Sequence, residues 1–195
     1  HGLSQAPELL IIKALDTGST SWAVGSDEMT SWVYSMELDT DDEEASVATR
    51  FNSTAPTASV FSVGDSGFTN APSGENFIAY CFHSVEGYSK VGSWTGNGNA
   101  DGPFIYTGFR PAFLLLKRID AVTSWLIEDD KRLGYNIDNN DLLPNQNSVE
   151  QTDDRLDIVS NGFKLRSAFT STNASGSTYL YMAFAKSPFK YSNAR

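Results

Sequence analysis

One apolar pattern occurs twice in the chain, as Pro7-Glu-Leu-Leu-Ile-Ile-Lys13 and as Pro111-Ala-Phe-Leu-Leu-Leu-Lys117. Each copy continues to an aspartate and then to a Thr-Ser-Trp triplet, Thr20-Ser-Trp22 and Thr123-Ser-Trp125. A third match follows, between residues 73–82 and 175–184. Because the order and the spacing of these matches agree, the sequence predicts two diverged copies of one unit, offset by about 100 residues.

The local pattern predicts β-structure throughout. Short segments rich in Val, Ile, Phe, Tyr and Trp are separated by Gly, Asn, Ser and Asp, which is typical of strands joined by turns. Residues 77–82 and 179–185 are apolar on both faces, which predicts central strands. Residues 156–165 predict a hairpin that turns at Asn161-Gly162, and Asp65-Ser-Gly67 is expected to take the same part in the first copy. The predicted fold class is all-β, a β-sandwich of jelly-roll or lectin-like type built from two internal repeats.

The repeat also predicts the domain organisation. We expect a first repeat over residues 1–95, a Gly/Asn-rich linker over 96–106 and a second repeat over 107–195; a single pseudo-symmetric domain is the alternative. The first repeat carries the whole acidic excess, much of it in Asp39-Thr-Asp-Asp-Glu-Glu44. A predicted strand at residues 88–94 precedes the second copy. We therefore expect residues before His1 to supply the corresponding strand of the first.

Composition excludes several classes of function. The 195 residues include 14 Lys and Arg against 24 Asp and Glu, for a net charge of −10. Nucleic-acid binding needs a cationic surface, so nucleic acid is not an expected partner. The longest apolar run, residues 179–185, falls far short of the roughly 20 residues of a membrane span. We therefore expect no membrane insertion.

The sequence offers no recognisable catalytic set, so we expect no enzyme and no catalytic residues. His1 and His83 are the two histidines, and neither belongs to a nucleophile elbow, a phosphate loop or a zinc motif. We interpret Cys81 and His83 as structural residues of a strand and its end. A weak calcium site is predicted at Asp138, Asn140 and Asp141, whose oxygens suit Ca²⁺. The acidic residues 39–44 are an alternative, and no other cofactor is expected.

Aromatic side chains beside polar loops indicate where a sugar would bind, because sugar rings pack on aromatic faces while polar groups bond the hydroxyls. The equivalent positions of Trp22 and Trp125 in the repeat predict core packing. Trp32, Trp94, Tyr106 and Tyr135 have no such explanation. The candidate ligand-binding residues are Tyr135, Asn136, Asp138 and Trp94.

Four segments resemble a repeated, uncharacterised domain of marine bacteriophage virion proteins. These are His1-Gly-Leu-Ser-Gln-Ala-Pro-Glu-Leu-Leu-Ile-Ile-Lys13, residues 99–118, Val159-Ser-Asn-Gly-Phe-Lys164 and residues 173–189. In that family the domain often lies beside lectin-like sandwich domains in tail fibres or other exposed components. The resemblance implies a location on the virion surface, and it supplies no binding or catalytic residues.

From these observations we expect a non-enzymatic virion component, either a tail-fibre or a capsid-surface decoration module. Its expected partners are other virion subunits, including further copies of the chain, with a host surface glycan as a ligand. Residues 187–191 would form a tail that contacts a neighbouring subunit or lies on its own domain. The alternatives are a glycan-active hydrolase of the lectin-like sandwich type and a decoration protein with no ligand.

Overall fold

Two units of antiparallel β-structure make up the chain, His1–His83 and Ser84–Arg195, hereafter unit 1 and unit 2. They are seen in a computed structural model that describes residues 1–71, 73–132 and 140–189. Each unit has its own sheets and its own apolar cluster. The predicted all-β class is confirmed.

Unit 1 contains one five-stranded antiparallel sheet in the order β4-β3-β2-β1-β5. Its strands are β1 (Leu9–Ala14), β2 (Ala23–Ser26), β3 (Tyr34–Glu37), β4 (Ala45–Ser46) and β5 (Phe77–Phe82). Leu10 and Ile12 on β1 pack with Trp32 and Phe51, which come from the loops, to form the buried centre of the unit. One face of the sheet is thus covered by the unit's own loops.

Unit 2 is a two-layer β-sandwich with sheets in the orders β6-β12-β8-β9 and β10-β11-β7. Its elements are β6 (Ser89–Thr95), β7 (Phe104–Tyr106), β8 (Pro111–Arg118), β9 (Leu126–Asp129), β10 (Leu156–Val159), β11 (Gly162–Leu165), the helical turn α1 (Thr170–Asn173) and β12 (Thr178–Ala185). Leu114, Leu126 and Tyr179 from the first sheet pack against Ile158 and Phe163 from the second. Burial alternates along β9 and β10, as the strand period of two requires, whereas the central strands β8 and β12 are buried on both faces.

Three strands of each unit pair in the same register. In unit 1, β1 pairs β5 with Leu9 opposite Phe82, and in unit 2, β8 pairs β12 with Phe113 opposite Phe184. The pairing of β1 with β2 agrees equally well with that of β8 with β9. Leu9 lies opposite Ser26 in unit 1, and Phe113 lies opposite Asp129 in unit 2. These pairs are the ones that the matched sequence segments place together.

The predicted domain boundaries are wrong between residues 84 and 106. Contacts divide the chain after His83, and β6 and β7 pair with strands of unit 2. Residues 96–103 of the expected linker form a loop that the buried Asn173 side chain holds, and residues 104–106 are β7. The Asn173 side chain donates hydrogen bonds to Asn97 Oδ1 (3.1 Å) and to the Asn99 carbonyl (2.7 Å).

Three predictions of strands and turns need correction. The run predicted at 179–185 is a central strand, β12, whereas β5 is the last strand on its side of the unit 1 sheet among the described residues. The hairpin at 156–165 is confirmed, but Gly162 is the first residue of β11 and does not lie in the turn. Gly162 is needed because a Cβ there would lie 2.0 Å from the carbonyl oxygen of Ile105 on β7. The sequence Asp65-Ser-Gly67 forms no hairpin, since in the described part of the chain β4 ends at Ser46 and β5 begins only at Phe77.

The two equivalent tryptophans have different surroundings. Trp125 is fully buried, as its repeat position predicts. Trp22 is only half-buried and stacks on the exposed Tyr80, with the ring centroids 6.3 Å apart. The expectation of a core role is therefore wrong for Trp22. Trp32, which the sequence left without a core role, is buried and donates from Nε1 to Asp27 at 2.6 Å.

Candidate functional site

A groove of about 610 Å³ opens on the surface of unit 2. Three separate stretches of the chain form it: the turn before β6, the end of β7 with the residues that follow, and the segment after β12. The lining residues are Ser84, Val85, Glu86, Gly87, Ser89, Lys90, Tyr106, Thr107, Gly108, Phe109 and Ser187. We define this set as the Tyr106 groove.

The first wall is a tight turn held by its own backbone. Val85 and Ser89 exchange two hydrogen bonds of 3.0 Å, and Gly87 between them adopts a φ of 70°, which favours glycine. The segment after β12 lies back on this turn, because the Phe189 amide donates to the Gly87 carbonyl at 2.9 Å. The Phe189 ring stacks on Tyr88 with the centroids 5.5 Å apart. As far as Phe189, the tail thus lies on its own unit.

The second wall follows β7 into a sharp bend. The amides of Thr107 and Gly108 both donate to the Asn161 carbonyl, at 3.0 and 3.3 Å. The buried Thr107 hydroxyl donates to the Phe109 carbonyl at 2.6 Å. Gly108 has a φ of 86°. These bonds hold the backbone beside Tyr106, whose side chain is 62 % exposed.

The groove therefore combines a large exposed aromatic side chain with polar residues whose backbone is fixed by hydrogen bonds. Tyr106 offers an apolar ring face and a hydroxyl, while Glu86 and Lys90 offer one charge of each sign. Aromatic surface with a few well-placed polar groups is the usual chemistry of a site for a neutral polar ligand such as a sugar.

Of the four predicted ligand residues, the structure describes Trp94 alone. Tyr135, Asn136 and Asp138 lie outside the described residues. Trp94 does not lie at a surface site as expected. It is 7 % exposed, and its ring stacks on Tyr179 with the centroids 4.9 Å apart. Its Nε1 donates to the Thr172 carbonyl at 3.1 Å, so both the ring and its polar atom serve the core.

Asn140 and Asp141, predicted as calcium ligands, are both buried. The Asn140 amide donates to Glu150 at 2.5 Å. Asp141 is 0 % exposed and pairs with the buried Arg155, whose Nε lies 3.2 Å from Asp141 Oδ2. Within the described residues, no group of three His, Cys, Asp or Glu side chains is placed to hold a metal ion. The third predicted ligand, Asp138, lies in a gap, so the calcium site stays a prediction.

A second buried carboxylate lies in the same region, on β9. Glu128 is 1 % exposed. Burial raises its pKa well above the usual range, and the charge of Asp141 raises it further. Burial also raises the pKa of Asp141, which the positive charge of Arg155 only partly offsets. Two paired carboxyl groups could resemble a glycosidase site, but these two are closed off from solvent, so a polysaccharide has no access to them.

The raised pKa of Glu128 predicts a pH-dependent stability. A carboxyl whose pKa is higher in the folded state contributes stability at low pH, which is lost as the pH rises above the pKa in the unfolded chain. We expect unit 2 to be more stable near pH 5 than at pH 7. Glu128→Gln should stabilise unit 2 at pH 7, by about 1.4 kcal/mol for each pKa unit of the shift, and should flatten the pH profile. Urea unfolding at both pH values measures this. An unchanged profile in Glu128→Gln would contradict it.

Sequence reasoning missed both the groove and the buried charges. Glu128 lies two residues after Leu126 in Leu126-Ile-Glu-Asp129. Because side chains alternate between the two faces of a strand, Glu128 lies on the same face as the buried Leu126. That alternation was the available signal for a buried acid. Tyr106 was among the unexplained aromatic residues, and nothing local distinguished it from Trp94.

Among the described residues, no helix has the length and apolar character of a membrane span. No curated protein and no solved structure matches the chain. One family model does match, over residues 1–188. The protein with the Tyr106 groove thus belongs to the family described as Domain of unknown function (DUF7483).

Proposed function

We propose that this chain is a non-enzymatic, surface-exposed component of a bacteriophage virion, and that it binds a host surface glycan at the Tyr106 groove. The virion location rests on the sequence resemblance described above. The proposed binding site rests on one observation: Tyr106 is 62 % exposed and lies beside polar residues that line the same groove. Its other partners are virion subunits, including further copies of the chain.

The chemistry of the groove favours a neutral or weakly charged sugar. Glu86 and Lys90 balance each other in the lining, so no net field selects a strongly anionic or cationic ligand. The Tyr106 ring can cover one face of a pyranose, and Ser84, Ser89 and Ser187 line the other walls of the groove. Such a site binds each sugar weakly, and several copies on one particle would raise the avidity.

Replacing Tyr106 tests the proposal. We expect Tyr106→Ala to weaken binding to a polysaccharide at least about tenfold, equal to roughly 1.4 kcal/mol, because exposed aromatic anchors dominate such contacts. The measurement is a screen of the labelled chain on an array of bacterial surface polysaccharides, followed by titration of the polysaccharide that binds best.

Phe104→Ala is the matched control. Phe104 lies on the same strand two residues earlier and is 47 % exposed, but it does not line the groove. We expect this variant to bind as the unchanged chain does. Equal affinity of the Tyr106 and Phe104 variants would remove the groove from the proposal, and the absence of any bound polysaccharide would favour a decoration protein without a ligand.

A further inference from the structure

The outer edge of β5 differs from its counterpart in unit 2. In unit 2 the equivalent strand β12 is covered on that edge by β6, which pairs with it antiparallel from Ser89 to Thr95. In unit 1, no strand of the described residues pairs with the outer edge of β5. The inner edges match closely, since Leu15 donates to the Asn76 carbonyl (2.8 Å) as Ile119 donates to the Thr178 carbonyl (3.1 Å).

This match shows which backbone groups of β5 face outward. Successive residues of a strand direct their N–H and C=O groups to opposite edges. Asn76 and Phe82 accept hydrogen bonds from β1 or the residues beside it, so Phe77, Ala79 and Cys81 present their backbone groups on the other edge. On β12 the corresponding side faces β6, where Gly96 donates to the Ser177 carbonyl at 2.9 Å.

The side chains of β5 are those of a covered strand. Its sequence, Phe77-Ile-Ala-Tyr-Cys-Phe82, contains no charged residue and no proline. Charged residues and proline are the features that keep edge strands from pairing with other strands. Ala79 and Tyr80 are exposed, whereas the equivalent Tyr181 and Met182 on β12 are buried. An uncharged strand that is apolar on both faces is typical of the centre of a sheet, whereas β5 lies at an edge.

We propose that the outer edge of β5 is the docking site for one further β-strand, which pairs antiparallel with Phe77–Phe82 as β6 pairs with β12. Its source is polypeptide joined to the amino end of unit 1, because in unit 2 the covering strand precedes β8 in the chain. The loop and strand at residues 96–110 make that connection in unit 2. The docked strand bonds Phe77, Ala79 and Cys81 and covers the side chain of Ala79.

The test adds such a strand to the full chain. A second copy of the sequence of residues 88–107 is fused to His1, and amide hydrogen exchange is followed by NMR. In the unextended chain we expect the amides of Phe77, Ala79 and Cys81 to exchange much faster than those of Ile78 and Tyr80. In the fusion we expect their exchange to slow at least tenfold and unit 1 to unfold at higher urea concentration.

The matched control is the same fusion with Gly92→Pro and Trp94→Pro in the added copy only, because proline lacks the N–H that pairing needs. Slow exchange in the fusion and fast exchange in its proline control would support the proposal. Equal exchange in the two fusions would overturn it. Slow exchange in the unextended chain that depends on protein concentration would also overturn it, because a second copy of the chain would then occupy the edge.

Discussion

Arg155→Met should destabilise unit 2 by about 3–5 kcal/mol at pH 7, because it leaves buried carboxylates without their cation. Arg155 is the buried positive charge beside Asp141, at 3.2 Å. Its other nitrogens donate to Ser171 Oγ and Asp153 Oδ2, each at 2.6 Å. Asp141 and Glu128 are both inaccessible to water, so solvent cannot take over the role of the guanidinium.

Two comparisons make this prediction specific. The loss should be smaller near pH 5, since the raised pKa values of Asp141 and Glu128 allow protonation to remove the uncompensated charge. Arg166→Met is the matched control: Arg166 pairs with Asp157 on the surface and is half-exposed, so its loss should cost less than about 1 kcal/mol. Urea unfolding read by hydrogen-exchange mass spectrometry separates peptides of unit 2 from those of unit 1. Equal losses in the two variants would contradict a buried ion pair.

Trp94→Ala should cost unit 2 about 3–5 kcal/mol, the usual range for removing a large core aromatic residue. The Trp94 ring contacts three others: it stacks on Tyr179, and it lies 5.6 Å from Phe163 and 6.2 Å from Tyr181 between centroids. Removal opens a cavity between the two sheets and also leaves the Thr172 carbonyl without its indole partner. Chemical unfolding of the variant measures the loss.

The control for Trp94 is Tyr106→Ala, which removes another aromatic side chain from the same unit. Because Tyr106 is mostly exposed, its loss should change stability by no more than about 0.5 kcal/mol. The two variants thus separate a core aromatic residue from a surface one. A Trp94→Ala variant as stable as the unchanged chain would contradict the core role and restore Trp94 as a candidate ligand residue.

The β-strands were predictable because they depend on local patterns. The pairs Leu9 with Phe82 and Phe113 with Phe184 lie in segments that the repeat had already matched. Runs of β-branched and aromatic residues broken by Gly and Asn predict strands wherever they occur. The role of Trp125 followed from its position in the repeat, but the same argument failed for Trp22.

The candidate site was less predictable, because its walls are far apart in the sequence. The turn at Gly87, the bend at Gly108 and Ser187 meet only when the segment after β12 folds back on unit 2. Trp94 and Tyr106 are both aromatic residues near turns. Trp94 is buried because its ring stacks on Tyr179 of β12 and its Nε1 donates to the Thr172 carbonyl of α1, which lies 78 residues along the chain.

The sequence alone therefore determined the all-β class and the strand segments, because these depend on side-chain periodicity along the chain. Only the tertiary structure decided that β6 and β7 belong to unit 2, that Glu128 and Asp141 are buried beside Arg155, and that β5 has an open edge. These properties depend on which strand lies beside which, and hydrogen bonds between distant segments decide that.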